Sequence, residues 1–141
     1  MIGILIITHG HLASGLISAI NLIAGEVDNL DYLELYQETN VDDFTEEVKK
    51  KVRQLDQGEG VAIFSDLVGA TPYNSTAKIY QEISSEVSYR SIAGVNLPML
   101  LDCIFSRETM SLHELTDHLL LVGKDSVKEL FNEVNGGKNN G

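Results

Sequence analysis

Two periods alternate along the chain. Short runs rich in Ile, Val, Leu, Tyr and Phe, at residues 2–7 (IGILII), 31–36 (DYLELY), 60–66 (GVAIFSD) and 87–95 (VSYRSIAGV), read as strands. Between them lie longer stretches of helical spacing. Leu16, Ile17, Ile20 and Ile23 predict a helix over 13–24, stopped by Gly25. Val41, Phe44, Val48, Val52 and Leu55 recur every three or four residues over 41–55, with acids early and bases late, as the helix dipole favours. Further helices are expected over 73–83, over 99–107 after Pro98, and over 111–122, where Leu112, Leu115, Leu119 and Val122 share a face. Strands alternating with helices predict one open α/β sheet of parallel strands with helices on both faces. Val127, Leu130, Phe131 and Val134 suit a helix, although residues 127–134 are also short enough for an edge strand.

The length of 141 residues fits one domain, expected over 1–135, with a flexible tail over 136–141. No internal repeat or Pro- or Ser-rich linker divides it. Composition, 43% hydrophobic and 22% charged, is that of a globular protein. The uncharged stretch from Met1 to Gly25 is interrupted by Thr8, His9, Gly10 and His11, which argues against a membrane span; it lacks the basic start of a signal peptide. A cytoplasmic location is expected. The formal charge of −11 has the wrong sign for nucleic acid and favours a basic protein partner, although much of it also fits solvated helix surface. Cys103 is the only cysteine, excluding an internal disulfide, and PMLLDCIF places it as a buried thiol.

The candidate chemistry sits at strand ends, where open parallel sheets bind ligands. The first strand ends in THGH and the third in SDLVGATP. If these strands are neighbours, His9 and Asp66 meet across one crevice although 57 positions apart. Asp66 would then fix one ring nitrogen, aim the other outward as a nucleophile and stabilise the positive charge that develops on the ring. Capping of loop ends by the same two residues is the plainer alternative. In GATP, Thr71 suits an N-cap, Pro72 the first helical turn, and Gly69 a close backbone approach, so that free amides would face an anion. Thr8 and the Gly10 amide would complete that cradle.

Other chemistries lack their signatures. HELTDH is one residue too long for the zinc motif, so His113 and His118 read as surface or rim residues. No ligand cluster joins His9 and His11, and no Walker, dinucleotide or serine-hydrolase motif is present. Neither a metal nor a cofactor is expected.

GILIITHGHLASGL, GVAIFSDLVGATPYN and IAGVNLPMLLD, in this order, resemble the three signatures of the enzyme IIA proteins in the mannose-type family of the phosphoenolpyruvate-dependent sugar phosphotransferase system, the mannose, fructose, sorbose and N-acetylgalactosamine group. The resemblance implies that His9 accepts a phosphoryl group from HPr and passes it to a histidine of an enzyme IIB subunit. It assigns Asp66 as the partner of the His9 ring, with Nδ1 toward Asp66 and the phosphoryl group on Nε2. Thr8, Gly10, Gly69, Ala70 and Thr71 would hold the phosphoryl group, and Asn96 and Leu97 would border the pocket. The chain has Ala70 where some members have a second glycine. The implied fold is four parallel strands plus one antiparallel carboxyl-terminal edge strand, exchanged between subunits of a homodimer, which favours a strand over 127–134. Contact with membrane permease subunits would be indirect, placing the protein at the membrane periphery through the permease complex. The IIB part is expected on a separate chain.

Three other readings compete. The phosphocarrier subunit of dihydroxyacetone kinase shares the fold and the histidine, but GVNLPML favours the sugar-transport branch. A regulatory module read by its phosphorylation state is a second. A flavodoxin-like or receiver-like domain is a third, and a receiver needs paired acids where this chain has THGH.

Overall fold

The structure, a computed structural model, describes residues 1–139. Its centre is a parallel sheet of β1 (Gly3–His9), β2 (Leu30–Leu35), β3 (Val61–Ser65) and β4 (Tyr89–Ala93), ordered β2-β1-β3-β4. Strand order therefore reverses between β1 and β3, and their carboxyl ends flank the switch point of the topology.

Alternation along β1 sends side chains to two cores. Ile4 and Ile6 join the core beneath α1 (Leu12–Ala24), α5 (Leu97–Ser106) and α6 (Leu112–Asp125). Leu5 and Ile7 join the core beneath α2 (Val41–Leu55), α3 (Thr71–Lys78) and α4 (Tyr80–Ile83). With both faces covered, β1 and β3 can be continuously apolar. The same parity directs Thr8 toward α1 and His9 toward the opposite face. Burial of Cys103 pushes its thiol up to about 12. No helix among the described residues is long and apolar enough to cross a membrane.

Several expectations change. β1 continues through Thr8 and His9 instead of stopping at Ile7, because both pair with β2. The helix expected over 73–83 is two, joined at Ile79, where Thr76 turns its hydroxyl back onto the Tyr73 carbonyl and Ser75 binds Thr45 on α2. Of the segment expected over 127–134, Leu130 onward forms helix α7 (Leu130–Asn139) while Val127 precedes it, and among the described residues no antiparallel edge strand accompanies the four parallel ones. In a single chain local periodicity prevails there, and Val127, Leu130, Phe131 and Val134 all stay exposed. Of the tail expected over 136–141, residues 136–139 continue α7, and residues 140 and 141 lie outside the described residues.

Gly3 lets the start of β1 pass α2's end: a Cβ there would lie 2.8 Å from both the Leu55 Cβ and its carbonyl oxygen. Gly15, within α1, has open space. Gly3→Ala is expected to lower the unfolding free energy by about 1–3 kcal/mol and Gly15→Ala to raise it by about 0.5–1 kcal/mol, both checked by urea unfolding.

Candidate functional site

His9 closes β1, and Asp66 is the first residue past β3. The His9 amide donates to Asp66 Oδ2 at 3.0 Å, and the ring Nδ1 lies 2.8 Å from the same oxygen. Asp66 Oδ1 accepts the Leu67 amide at 3.1 Å. An ionised carboxylate only accepts, so the proton of a neutral His9 ring sits on Nδ1, leaving Nε2 bare. That nitrogen has no partner among the described residues, and the side chain is 45% exposed against 12% for Asp66. Burial raises the affinity of Asp66 for protons, but the bonds from the His9 amide and ring outweigh it and hold the carboxyl below the ordinary aspartate range. Asp66 is thus ionised at neutral pH.

The five residues expected to form an anion cradle divide into two groups. Thr8 is buried, and its Oγ1 accepts the Ala13 amide in the first turn of α1. Gly10, at φ 54°, donates its amide to the Leu35 carbonyl at 2.9 Å. Both groups are therefore committed to structure. On the other side, the cap of α3 is Ala70, not Thr71, and a methyl side chain cannot satisfy the helix's first amides. The amides of Gly69 and Thr71 have no acceptor among the described residues, and Gly69 sits at φ 79°, where a side chain would be strained. Exposed Leu67 and Val68 border this loop.

Asn96 and Leu97 are not brought to His9 by any hydrogen bond. Asn96 Oδ1 caps α5 through the Met99 amide, while Nδ2 donates to the Gly123 carbonyl and Ser126 Oγ. Leu97 packs against the α1 core. The Val95 amide does reach the Ser65 carbonyl, so the loop before α5 borders the end of β3. His113 is exposed, whereas His118 is half-buried with Nε2 2.7 Å from Asp102 Oδ1, tying α6 to α5. Among the described residues no three candidate ligands cluster as a metal site would require.

The profile of the PTS system fructose IIA component, EIIA-man, matches residues 3–120. The chain belongs to this family. It is 30% identical over 130 residues to the mannose-specific EIIAB component of Escherichia coli K12, covering 92% of this chain but 39% of that protein. It is 28% identical over 128 residues to the fructose-specific EIIA component of Bacillus subtilis, covering 91% and 86% of the two. The fold resembles a phosphotransferase system component EIIA from Streptococcus agalactiae, with a TM-score of 0.86 at 22% identity over 94% of this chain and 99% of that one.

In this EIIA-man chain a second carboxylate, unforeseen from the sequence, stands beside the first. Glu34 is paired with Thr8 in the β1–β2 register and points with it toward α1. Its side chain is 6% exposed. Oε2 accepts the Ser14 amide at 2.8 Å; Oε1 accepts the Tyr36 hydroxyl at 2.5 Å and lies 3.4 Å from His11 Nδ1. The signal was the alternation of LDYLEL, which places an acid on the inward side with Leu30. Burial pushes the Glu34 carboxyl up, yet the bonds from Ser14, Tyr36 and His11 bring it down to about 2, from 4.5. A depressed carboxyl contributes stability that is complete above about pH 4.5 and lost as the pH falls toward 2. Glu34→Gln is expected to lower the unfolding free energy by roughly 2–3 kcal/mol at neutral pH and by progressively less toward pH 2, as urea unfolding at several pH values will measure.

Proposed function

We propose that this protein is the phosphocarrier of a sugar phosphotransferase system. His9 accepts a phosphoryl group from the phosphohistidine of HPr and passes it to a histidine of an enzyme IIB subunit, which serves the membrane permease. The observation that carries this reading is the 2.8 Å contact of His9 Nδ1 with Asp66, which leaves Nε2 unprotonated and facing outward at the sheet's switch point. Membership of EIIA-man supports it.

Nε2 attacks phosphorus as the P–N bond of the donor breaks, and Asp66 stabilises the positive charge spreading over the His9 ring. The transferring group needs positioning and fixed donors more than covalent help. Open amides at Gly69 and Thr71, with Ala70 presenting the start of α3, supply them on one side. Thr8 and Gly10 act from behind, fixing the turn that follows His9. Asn96 and Leu97 border the pocket through the loop that Val95 ties to β3. No metal, nucleotide or other cofactor enters the reaction.

The working domain is residues 1–135, placed in the cytoplasm and brought to the membrane periphery through the permease complex. Its partner surface is acidic, suited to basic carriers and not to nucleic acid. Two copies exchange their carboxyl-terminal segments as antiparallel edge strands. The free edge of β4, the groove of about 380 Å³ beside it lined by Tyr73, Tyr80 and Tyr89, and the exposed apolar residues of 127–134 support that exchange.

Incubation with enzyme I, HPr and phosphoenolpyruvate should add one acid-labile phosphoryl group by intact mass, absent from His9→Ala. Asp66→Asn should slow its formation by about 100-fold or more. A stable label on Ser or Thr would overturn the mechanism. Removal of residues 127–141 should convert a dimer to a monomer in sedimentation; an unchanged mass would exclude the exchange.

A further inference from the structure

Two large apolar side chains stand in water next to the dyad. Leu67 is 59% exposed and Val68 75%, and they follow Asp66 directly in the chain. A single exposed leucine on a protein surface needs no explanation. This pair differs in being adjacent, in being held by the carboxylate that holds His9, and in lying on the side of the sheet to which His9 points.

Asp66 Oδ1 accepts the Leu67 amide at 3.1 Å while Oδ2 takes the amide and the ring Nδ1 of His9, so one carboxylate spans the nucleophile and the start of the loop. The Leu67 carbonyl accepts the Ala70 amide at 3.4 Å, and Asn74, in the first turn of α3, donates Nδ2 to the Gly69 carbonyl at 2.9 Å. The turn between β3 and α3 is therefore pinned at both ends, yet it buries neither Leu67 nor Val68. Register puts the ring on the same side. Ile7, the partner of Ser65, belongs to the core beneath α2, α3 and α4, and His9 follows it by two residues. α3, into which the loop runs, packs on β1 and β3. Among the described residues neither His9 nor Asp66 bonds to a lysine or arginine, so no cation is fixed on the dyad to hold a partner there.

If His9 takes its phosphoryl group from the histidine of HPr, as proposed above, the two rings must meet across a single phosphorus while water stays out. Fixed donors such as the Gly69 and Thr71 amides are worth most in a site closed to water, and in the single chain Gly69 is exposed. We propose that Leu67 and Val68 are the seat on which the donor carrier docks: an apolar patch beside the carrier's own histidine closes over the pair and dries the amides that follow it. The acidic balance of the chain steers a basic carrier in, and the two side chains then hold it. Because Asp66 fixes both the loop and the His9 ring, the seat keeps one position relative to Nε2. Leu67 and Val68 are positioning residues: they form no bond to phosphorus and move no proton. They set how much carrier is needed, not how fast the group moves once the carrier is bound. Loss of one buried side chain of this size corresponds to about tenfold in that concentration.

The test is rapid-quench measurement of phosphoryl transfer from phosphorylated HPr to the protein over a series of HPr concentrations. Leu67→Ser and Val68→Ser should each raise the half-saturating concentration by about tenfold, and the double variant by more, with the limiting rate within about twofold of wild type. Leu22→Ser, which alters a leucine 89% exposed near the far end of α1, should leave both values unchanged. Phosphoramidate, a small donor that loses ammonia as its P–N bond breaks and brings no protein surface, should label every variant at the wild-type rate, read by intact mass. A half-saturating concentration unchanged in the double variant, or raised as much by Leu22→Ser, overturns the proposal. So does a phosphoramidate rate that falls in the Leu67 and Val68 variants, which would assign the loop to the chemistry or to folding instead of docking. Failure of the parent reading looks different: wild-type protein takes no mass from phosphorylated HPr, or His9→Ala takes it equally.

Discussion

One oxygen, Asp66 Oδ2, accepts both the backbone amide and the ring Nδ1–H of His9. That double contact fixes where β1 ends relative to β3 and which ring nitrogen is left bare, so backbone register and tautomer share one anchor. It exists because the strand order reverses between β1 and β3. The ends of two strands distant in sequence are thereby brought side by side with no helix crossing over them. A carboxylate in this place fixes which ring nitrogen carries the proton of a neutral ring and leaves the other without a partner among the described residues. Exposure of His9 against burial of Asp66 keeps the ring in contact with water while the carboxylate is held ionised by its donors.

Charge around the site is distributed unevenly between two helix starts. The amino end of α1 follows His9 closely, yet its amides are already occupied: Ala13 by Thr8 and Ser14 by Glu34. The amino end of α3 is capped by an alanine that offers nothing. Each end carries about half a positive charge. One is met by the Glu34 carboxylate and the other, among the described residues, is open, which is the asymmetry that the phosphoryl cradle proposed above relies on. Thr8 and Glu34 do this together because they are lateral partners in the β1–β2 register, pointing to the same face.

Periodicity carried most of the fold, since burial on one face or two is a property of neighbouring residues. The four parallel strands and the helices between them were legible, as was the approach of His9 to Asp66, once the strand ends were compared for polarity. What escaped were lateral relations. That Glu34 meets the start of α1 depends on the pairing of Thr8 with Glu34, which no local pattern contains. The Gly10 amide was expected to complete the anion cradle with Thr8, but the extension of β1 to His9 sends it to Leu35. The cap of α3 fell one residue before the threonine best suited to it, leaving amides open. His118 faces Asp102 because α6 folds back on α5, a packing that helical spacing alone does not reveal.

The carboxyl-terminal segment shows the same limit in its sharpest form. Val127, Leu130, Phe131 and Val134 stand at intervals that make one helix face, and α7 takes up that period from Leu130 onward, with Val127 just before it. The face has nothing to cover, and all four side chains remain exposed. Burying such a side chain is worth about 1.5–3 kcal/mol, so a helix that leaves Leu130, Phe131 and Val134 outside gains little from packing. Meanwhile β4 presents an unpaired edge beside a groove lined with tyrosines. Exposed apolar residues and an open edge within one chain are complementary deficits, and the exchange proposed above removes both at once, since a strand laid on β4 satisfies its edge and brings alternate side chains to the groove. A periodic pattern chooses the better local conformation, but an edge strand belongs to whichever chain can reach it.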